Sequence, residues 1–300
     1  MVILVGTMLI ATTSALSEAP NHPRFVLNNP SKTPDSKYPW MTNSVYERLD
    51  QRIQPPKGFR RVSVSVGSFA GWLRRMPLKP GCPWLRLYNG LPKLNQWAHH
   101  AIVLVDVGRK DLQQCADAII RLRAEYLRSI GCEDRIAFRF TSGHLAEWRK
   151  WRDGYRPKVR GNRVSWARVT NRDTRYSNFR KYLNVVFMYA GTASLAKELK
   201  SVKTPSTVEI GNVFIQGGFP GHAVLVMDVA ENAAGERVFL LAQSFMPAQE
   251  AHILRNPKGR ISPWYRAANR GELVTPEWKF QYTDLRSFGR NICAAKTPNN

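Results

Sequence analysis

The chain has 300 residues, 43% of them hydrophobic and 11% aromatic, and a formal net charge of +23. This length and apolar content allow a substantial core, which excludes an intrinsically disordered protein. Four cysteines are too few for a fold built on disulfides, and no Cys or His spacing typical of a zinc site occurs, so we expect no metal and no cofactor. In an oxidising compartment one disulfide could form, and the sequence does not choose among the three full pairings.

The N-terminus has the pattern of an export signal. Residues 2–12 form an apolar run that is too short to span a bilayer, and Ala15-Leu16-Ser17 supplies the small residues of a cleavage site. We therefore expect a signal peptide over 1–17, an exported protein of the periplasm or cell envelope, and no transmembrane span after cleavage. The proline-rich stretch 18–45 predicts a linker, 46–290 a single domain, and 291–300 a flexible tail.

The first half of this domain predicts short strands and several helices. Residues 59–66 alternate as a half-buried strand, and Ser68 is placed to cap a short helix. Further strands are predicted over 84–90 and 99–107. A long helix over 112–129 follows, with Asp111 as its N-cap and Cys115 on its apolar face.

The second half predicts mostly strands. A helix over 145–151 with Ser142 as its cap, and helices over 179–190 and 194–199, precede a β-rich region that begins at Val208. Its apolar runs are HAVLVMDV from His222 and RVFLLAQ from Arg237, with shorter runs on either side. The fold class is therefore α+β, with a helical first half and a mostly antiparallel β-sheet in the second half.

A strongly basic segment lies between Arg149 and Lys181. It carries 12 Lys and Arg against two Asp, a local charge of +10, with aromatic residues interleaved. Such a surface attracts phosphates, and aromatic side chains stack on bases. In an exported protein the same charge would attract an anionic cell-envelope polymer or peptidoglycan, which makes nucleic acid the less favoured partner. A solvated basic face is the third interpretation. The candidate binding residues are Arg156, Lys158, Arg160, Arg163 and Trp166.

The stretch from Gly211 to Gln249 contains the clearest candidate site. His222 opens one apolar strand behind a glycine-rich loop, and Gln243 ends the next strand. In an antiparallel hairpin the start of one strand lies beside the end of the other, so Gln243 could reach the His222 ring. This is how a base and its orienting residue are arranged in a catalytic triad. The alternative interpretation is a buried strand with a hydrogen-bonded histidine.

Long segments of the chain resemble a bacterial family, the domain of unknown function numbered 4846. The resemblance rests on YNGLPKLNQWAHHAIVLVDVGRKDLQQCADAIIRLRAEYL, on WRDGYRP, and on FIQGGFPGHAVLVMDVA with FLLAQSFMPAQEAHILRN, and extends from about Arg52 to Phe288. It implies no activity. Members of the family are mostly envelope or exported proteins, which agrees with the predicted signal peptide.

A weaker resemblance implies a chemistry. GNVFI followed by GHAVLV is similar to the stretch that contains the catalytic His of NlpC/P60 peptidases, and LLAQSF to the papain-type segment that orients it. This resemblance implies a papain-like fold with His222 as base, Gln243 as orienter and Cys115 as nucleophile. Gln113 or Gln114 would stabilise an oxyanion, and Ser244 is a fallback nucleophile.

The predicted position of Cys115 departs from that pattern. With Asp111 as N-cap, Cys115 lies a full turn inside the helix, whereas papain-type nucleophiles lie at its start, where free N–H groups favour the thiolate. A reactive thiolate would make Cys115 the fastest of the four cysteines to react with iodoacetamide. The sequence thus predicts an exported, envelope-associated amide or peptide hydrolase acting on cell-wall material. The alternative is a non-catalytic protein that binds a polyanion or the cell envelope.

Overall fold

The computed structural model describes residues 39–41 and 46–289. The predicted signal peptide, most of the predicted linker and the predicted tail lie outside the described residues. The α-helices are α1 (Leu49–Arg52), α2 (Phe69–Arg74), α3 (Cys115–Ser129), α4 (Trp148–Arg152), α5 (Tyr176–Tyr189) and α6 (Thr192–Glu198). None of these helices has both the length and the apolar character needed to cross a bilayer.

The strands are mostly short. They are β1 (Glu47–Arg48), β2 (Phe59–Arg61), β3 (Pro77–Leu78), β4 (His99–Ile102), β5 (Ala137–Arg139), β6 (Leu145–Glu147), β7 (Tyr155–Arg160), β8 (Arg163–Arg168), β9 (Lys200–Ser201), β10 (Val213–Gln216), β11 (His222–Asn232), β12 (Arg237–Gln243), β13 (His252–Leu254), β14 (Tyr265–Arg266), β15 (Glu272–Val274), β16 (Lys279–Gln281) and β17 (Leu285–Ser287).

A central antiparallel sheet organises the domain. Its order is β4-β13-β12-β11-β10-β17-β9, and β2 and β14 pair with β11 and β12. The α+β class is therefore observed. The helices are not restricted to the first half, because α5 and α6 lie in the second half and short strands occupy much of the first.

Strand β11 is buried on both faces, which explains its nearly continuous apolar sequence. Residues 222–230 are all buried. Helices α2 and α3 pack on this strand. The hairpin β15–β16 packs over β10, where the Phe280 ring lies 6.2 Å from Phe214 and 5.9 Å from His222. The start of β11 is thus enclosed by packed elements.

Two helix starts differ from the sequence prediction. Helix α3 begins at Cys115 because the carboxylate of Asp111 accepts the N–H of Ala248 (2.7 Å) and the Ser244 hydroxyl donates to the Gln113 carbonyl (3.0 Å). These contacts hold 111–114 against the end of β12, outside the helix. Residues 145–147 form strand β6 paired with β5, so α4 begins only at Trp148.

Arg121 fixes the segment before α3 from inside the helix. Its guanidinium is fully buried and donates to Glu125 Oε1 (2.6 Å), Gln113 Oε1 (3.1 Å) and Asp106 Oδ1 (3.0 Å). A buried guanidinium needs such partners, since an unpaired charge in the interior is costly. Arg121 also lies over the Trp40 ring at 5.4 Å, so this part of the predicted linker packs on the domain.

A buried carboxylate ties α2 and β2 to β11. Asp228 is fully buried at a register shift in β11, and its two oxygens accept Arg61 Nε (2.6 Å) and Arg74 Nε (2.7 Å). Its Oδ1 also accepts the N–H of Val229 (2.9 Å). Removing one member of a buried ion pair leaves the other charge uncompensated.

We expect Asp228→Asn to lower the free energy of unfolding by about 3–5 kcal/mol, because two arginines would lose their counter-ion inside the domain. Urea unfolding followed by tryptophan fluorescence measures this change. Glu231→Gln, also in β11, breaks the more exposed pair with Arg237 of β12; it is the control and should cost at most about 1 kcal/mol. Equal effects of the two substitutions would show that Asp228 does not have the predicted structural role.

Candidate active site

Polar side chains from three neighbouring strands meet at one end of the sheet. Ala242 pairs with Leu225 and Gln243 pairs with His252, which sets His222, Gln243 and His252 on the same face of β11, β12 and β13. His222 Nε2 lies 2.8 Å from Gln243 Oε1. The contact predicted from the hairpin is therefore confirmed.

A carboxylate that the sequence analysis did not identify completes this cluster. Glu277, in the loop between β15 and β16, accepts Gln243 Nε2 (2.7 Å) and Lys93 Nζ (2.6 Å) on its Oε2. Lys93 and Glu277 are almost buried, with 9% and 13% of their side chains exposed. Across the described ranges, no group of three or more His, Cys, Asp or Glu side chains is arranged to hold a metal ion.

The hydrogen-bond partners assign the protons of the cluster. A carboxylate only accepts, so the NH₂ group of Gln243 faces Glu277 and its oxygen faces His222. Nε2 of His222 must then carry the proton, which leaves the lone pair of the neutral ring on Nδ1. His252 Nδ1 donates to the Glu250 carbonyl (2.9 Å), so its Nε2 is free to accept the second amide proton of Gln243 (3.3 Å).

The His222 ring is enclosed by aromatic side chains and is only 1% exposed. Ring centroids of Phe245, Trp278 and Phe280 lie 4.8, 5.4 and 5.9 Å from it. Burial lowers the pKa of His222 to about 4, against the opposing hydrogen bond to Gln243, and the charge of Lys93 lowers it further. His222 is therefore a neutral imidazole near neutral pH.

Cys115 is the first residue of α3, and not a residue one turn inside it as predicted. Gln114 is the N-cap, and its own N–H is accepted by Asp117 Oδ2 (3.1 Å). The backbone N–H groups of Ala116, Ala223 and Cys115 itself interact with the Cys115 thiol and act to lower its pKa. Because Ala223 directly follows His222, the thiol lies beside the start of β11.

The thiol of Cys115 is nevertheless protonated in this arrangement. It is 7% exposed, and burial raises its pKa to about 11, with the nearby charge of Asp117 acting in the same direction. The three N–H groups lower the pKa but do not outweigh burial. Cys115 and His222 thus form a neutral thiol and a neutral imidazole, and not a thiolate–imidazolium pair.

Two other predicted roles do not fit the geometry. Gln113 is 1% exposed, and its side chain is engaged with Arg121 and the Asp106 carbonyl, so it is not free to stabilise an oxyanion. Ser244 is fully buried and its hydroxyl bonds the carbonyls of Gln113 and Gln249, which is a structural role and not that of a nucleophile. Gln114 is only partly buried, and its amide donates to Asp111 (3.0 Å).

A second cysteine–histidine pair lies outside this cluster. Cys82 Sγ is 3.8 Å from His99 Nε2, but the same nitrogen is 3.1 Å from the Pro83 carbonyl, which can only accept. Nε2 of His99 therefore carries a proton and cannot take one from Cys82. Cys82 is an exposed free thiol and Cys115 a buried one, whereas Cys132 is disulfide-bonded.

The basic segment contains the hairpin β7–β8. Its predicted binding residues fall into an exposed group and a group in contact with the rest of the domain. Lys158, Arg160 and Arg163 are exposed. Trp166 packs on the domain and donates from Nε1 to His144 Nε2 (2.6 Å), and Arg156 lies 4.0 Å over the Trp151 ring. Trp166 and Arg156 are therefore engaged in contacts within the domain, whereas the other three side chains are exposed.

The neutral state of Cys115 predicts a reactivity opposite to that of an activated thiolate. At pH 7 iodoacetamide should label the exposed Cys82 well before Cys115, and the rate at Cys115 should rise as the pH approaches about 11. Peptide mass spectrometry after timed labelling of the folded protein follows both sites. Faster labelling of Cys115 at pH 7 would contradict the neutral pair.

Comparison with known proteins places the chain in a family. The model of the family described as Domain of unknown function (4846) matches residues 49–287, well over half of the chain. No curated protein and no solved structure matches. The chain therefore belongs to the domain of unknown function 4846 family.

Proposed function

We propose that the protein is a cysteine-type hydrolase of amide or peptide bonds in cell-wall material. The observation that carries this proposal is the position of Cys115 at the first residue of α3, with its thiol beside the strand that His222 opens. The sequence alone predicts Cys115 one turn inside the helix, whereas papain-type nucleophiles lie at the helix start, where α3 has Cys115. Gln243 holds the His222 ring with Nδ1 unprotonated, as a base for the thiol requires.

The proposed reaction begins with transfer of the Cys115 proton to Nδ1 of His222. The sulfur attacks the carbonyl carbon of the substrate, the C–N bond breaks, and the leaving amine takes the proton from Nδ1. The resulting thioester is hydrolysed by water, which gives one proton to Nδ1 and releases the carboxylic acid as the thiol is restored. Throughout the reaction Gln243 Oε1 accepts a hydrogen bond from the Nε2–H of His222 and so stabilises the transient imidazolium.

The start of α3 provides the electrostatic support for this reaction. The N–H groups of Cys115 and Ala116 belong to the first turn, where backbone donors have no partner within the helix. They act to lower the pKa of the thiol, so they favour negative charge on sulfur, and we propose that they also stabilise the oxygen of a tetrahedral intermediate. The side-chain amide of Gln114, the residue directly before Cys115, is partly buried and is the proposed additional donor to that oxygen.

The described conformation is closed, and a substrate must displace part of its cover. Phe245, in the loop between β12 and β13, contacts the His222 ring, and its neighbour Met246 is 57% exposed. The loop between β10 and β11, which directly precedes His222, exposes 88% of Phe219. We propose that these two loops separate to admit an extended chain, whose amide would then lie in a site with little water.

We further propose that the protein acts outside the cytoplasm. The charge of +23 suits attraction to an anionic envelope, and the disulfide bond at Cys132 supports an oxidising compartment. The predicted signal peptide over 1–17 remains a prediction, since it lies outside the described residues.

One observation favours a second candidate function, a non-catalytic protein that binds the cell envelope. Cys115 and His222 are both buried and both neutral, so the closed conformation lacks a preformed nucleophile. In this alternative the polar cluster stabilises the end of the sheet. The loss of activity in a Cys115 variant distinguishes the two functions.

We expect the full chain to release soluble fragments from purified peptidoglycan with new amine and carboxyl ends, because amide hydrolysis creates both. Cys115→Ala and His222→Ala should each lower the rate at least about a hundredfold, whereas Cys82→Ala should retain it. Mass spectrometry of the released peptides measures the products. Undiminished cleavage by Cys115→Ala would exclude the cysteine mechanism, and intact peptidoglycan after treatment with the unaltered chain would exclude the substrate.

We propose Glu277 as a positioning residue, because its carboxylate accepts the amide of Gln243, and this yields a separate prediction. The side-chain amide introduced by Glu277→Gln can donate a hydrogen bond as well as accept one. Gln243 would then no longer be forced to turn its oxygen toward His222. We expect kcat to fall at least about tenfold with little change in KM, because the wrong tautomer of the base removes catalysis and not binding. Glu250→Gln, which also removes a carboxylate paired with a lysine, is the matched control. A fall caused by unfolding alone would appear as a lower Tm, and equal kinetics for the two variants would contradict the assignment.

A further inference from the structure

The hairpin β7–β8 sorts the residues of the basic segment onto two faces. In its register Lys158 lies opposite Ser165, and Arg160 lies opposite Arg163. Cross-strand partners point to the same side of a sheet, so Lys158, Arg160 and Arg163 share one face. All three are exposed, and the hairpin presents them to solvent at the end that carries its turn.

The charge of this face is not neutralised by the protein. Within the part of the chain that the structure describes, no acidic side chain lies within ion-pair distance of Lys158, Arg160 or Arg163. The nearby acids are used elsewhere, since Asp153 pairs with Arg172 and Asp173 pairs with Arg175. Like charges directly opposite one another destabilise a hairpin, so the Arg160 and Arg163 pair has a cost that an anionic ligand would remove.

The aromatic residues of the hairpin lie on the other face. Tyr155 and Trp166 alternate with the exposed cations, and Trp166 is held by its bond to His144 and by Lys150 Nζ, 5.2 Å from its ring centroid. Basic and aromatic residues are interleaved in the sequence because alternate side chains of each strand point to opposite faces, of which one packs on the domain. None of the hairpin residues on the cationic face is aromatic, so the hairpin offers no ring there on which a base could stack, the feature typical of single-stranded nucleic-acid binding.

We propose that this face binds a non-nucleic anionic polymer of the cell envelope through the regularly spaced charges of its backbone. Lys158 and Arg160 are two residues apart in one strand, which separates them by about 7 Å along a line that a flexible phosphate-bearing chain can follow. Arg163 lies across from Arg160 in β8, and in this proposal it contacts the same bound polymer from that strand. The inference does not depend on the proposed hydrolase activity, because none of these residues belongs to the Cys115 site.

Three probes of equal charge number test the mode of recognition. They are poly(glycerol phosphate), an abasic deoxyribose-phosphate oligomer, and oligodeoxyadenylate, each titrated into the full chain over a series of salt concentrations. The variant Lys158→Gln/Arg160→Gln/Arg163→Gln is compared with Lys57→Gln/Arg60→Gln/Arg270→Gln, which removes the same charges from other exposed positions. Arg156 is left unchanged, since it is bonded to the Trp151 carbonyl and stacked on its ring.

The unaltered chain should bind the three probes within about threefold of one another, because only backbone charge is recognised. The hairpin variant should lower the slope of log K against log salt by about 2, at about 0.7 per lost contact, while the control variant should change it by less than 1. Much tighter binding of oligodeoxyadenylate than of the abasic oligomer would replace the proposal with nucleic-acid binding. Equal losses in both variants would show that net charge alone attracts the polymers, and would overturn the proposed surface.

Discussion

The candidate site depends on the orientation of one buried amide. Gln243 is 2% exposed, and both ends of its side chain are committed, with the oxygen toward His222 and the nitrogen toward Glu277 and His252. Reversal would place an NH₂ group against the Nε2–H of His222 and an oxygen against a carboxylate, which leaves buried polar atoms without partners. The proton of His222 is thereby placed on Nε2, and the ring nitrogen that remains available is Nδ1. The register of β11, β12 and β13 brings these residues together, so the chemistry of the site follows from the central sheet.

Burial and helix position act in opposite directions on Cys115. The start of α3 and the N–H of Ala223 favour a thiolate, yet burial raises the thiol pKa to about 11, which shows that the loss of solvent has the larger effect. His222 is affected in the corresponding way, with its pKa lowered to about 4. In the closed conformation the two groups therefore remain neutral. A substrate that opens the loops at Phe219 and Phe245 would change both environments together, which couples binding to activation in the proposed mechanism.

The sequence could predict what depends on local pattern. The two apolar runs that became β11 and β12, and the contact between His222 and Gln243, follow from strand alternation and hairpin geometry. Glu277 and Lys93 could not be found in this way, because each reaches the site from a loop and neither forms a motif with a fixed spacing. The start of α3 was predicted incorrectly since Asp111, a residue suited to an N-cap, instead bonds the N–H of Ala248 far along the chain. In the basic segment, the charge was evident from the sequence, but its division between two faces required the register of β7 and β8.

Gln243 and Glu277 hold His222 as the neutral tautomer with its proton on Nε2. Nitrogen-15 NMR of the full chain, with labelled histidine and with His222→Gln to assign the resonance, measures the protonation of each ring nitrogen directly. Near pH 7 we expect a protonated Nε2 and an unprotonated Nδ1 for His222, unchanged until the pH falls toward about 4. Glu277→Gln should mix the two tautomers. A proton on Nδ1 of His222 at pH 7 in the unaltered protein, in the other neutral tautomer or in an imidazolium, would contradict this assignment.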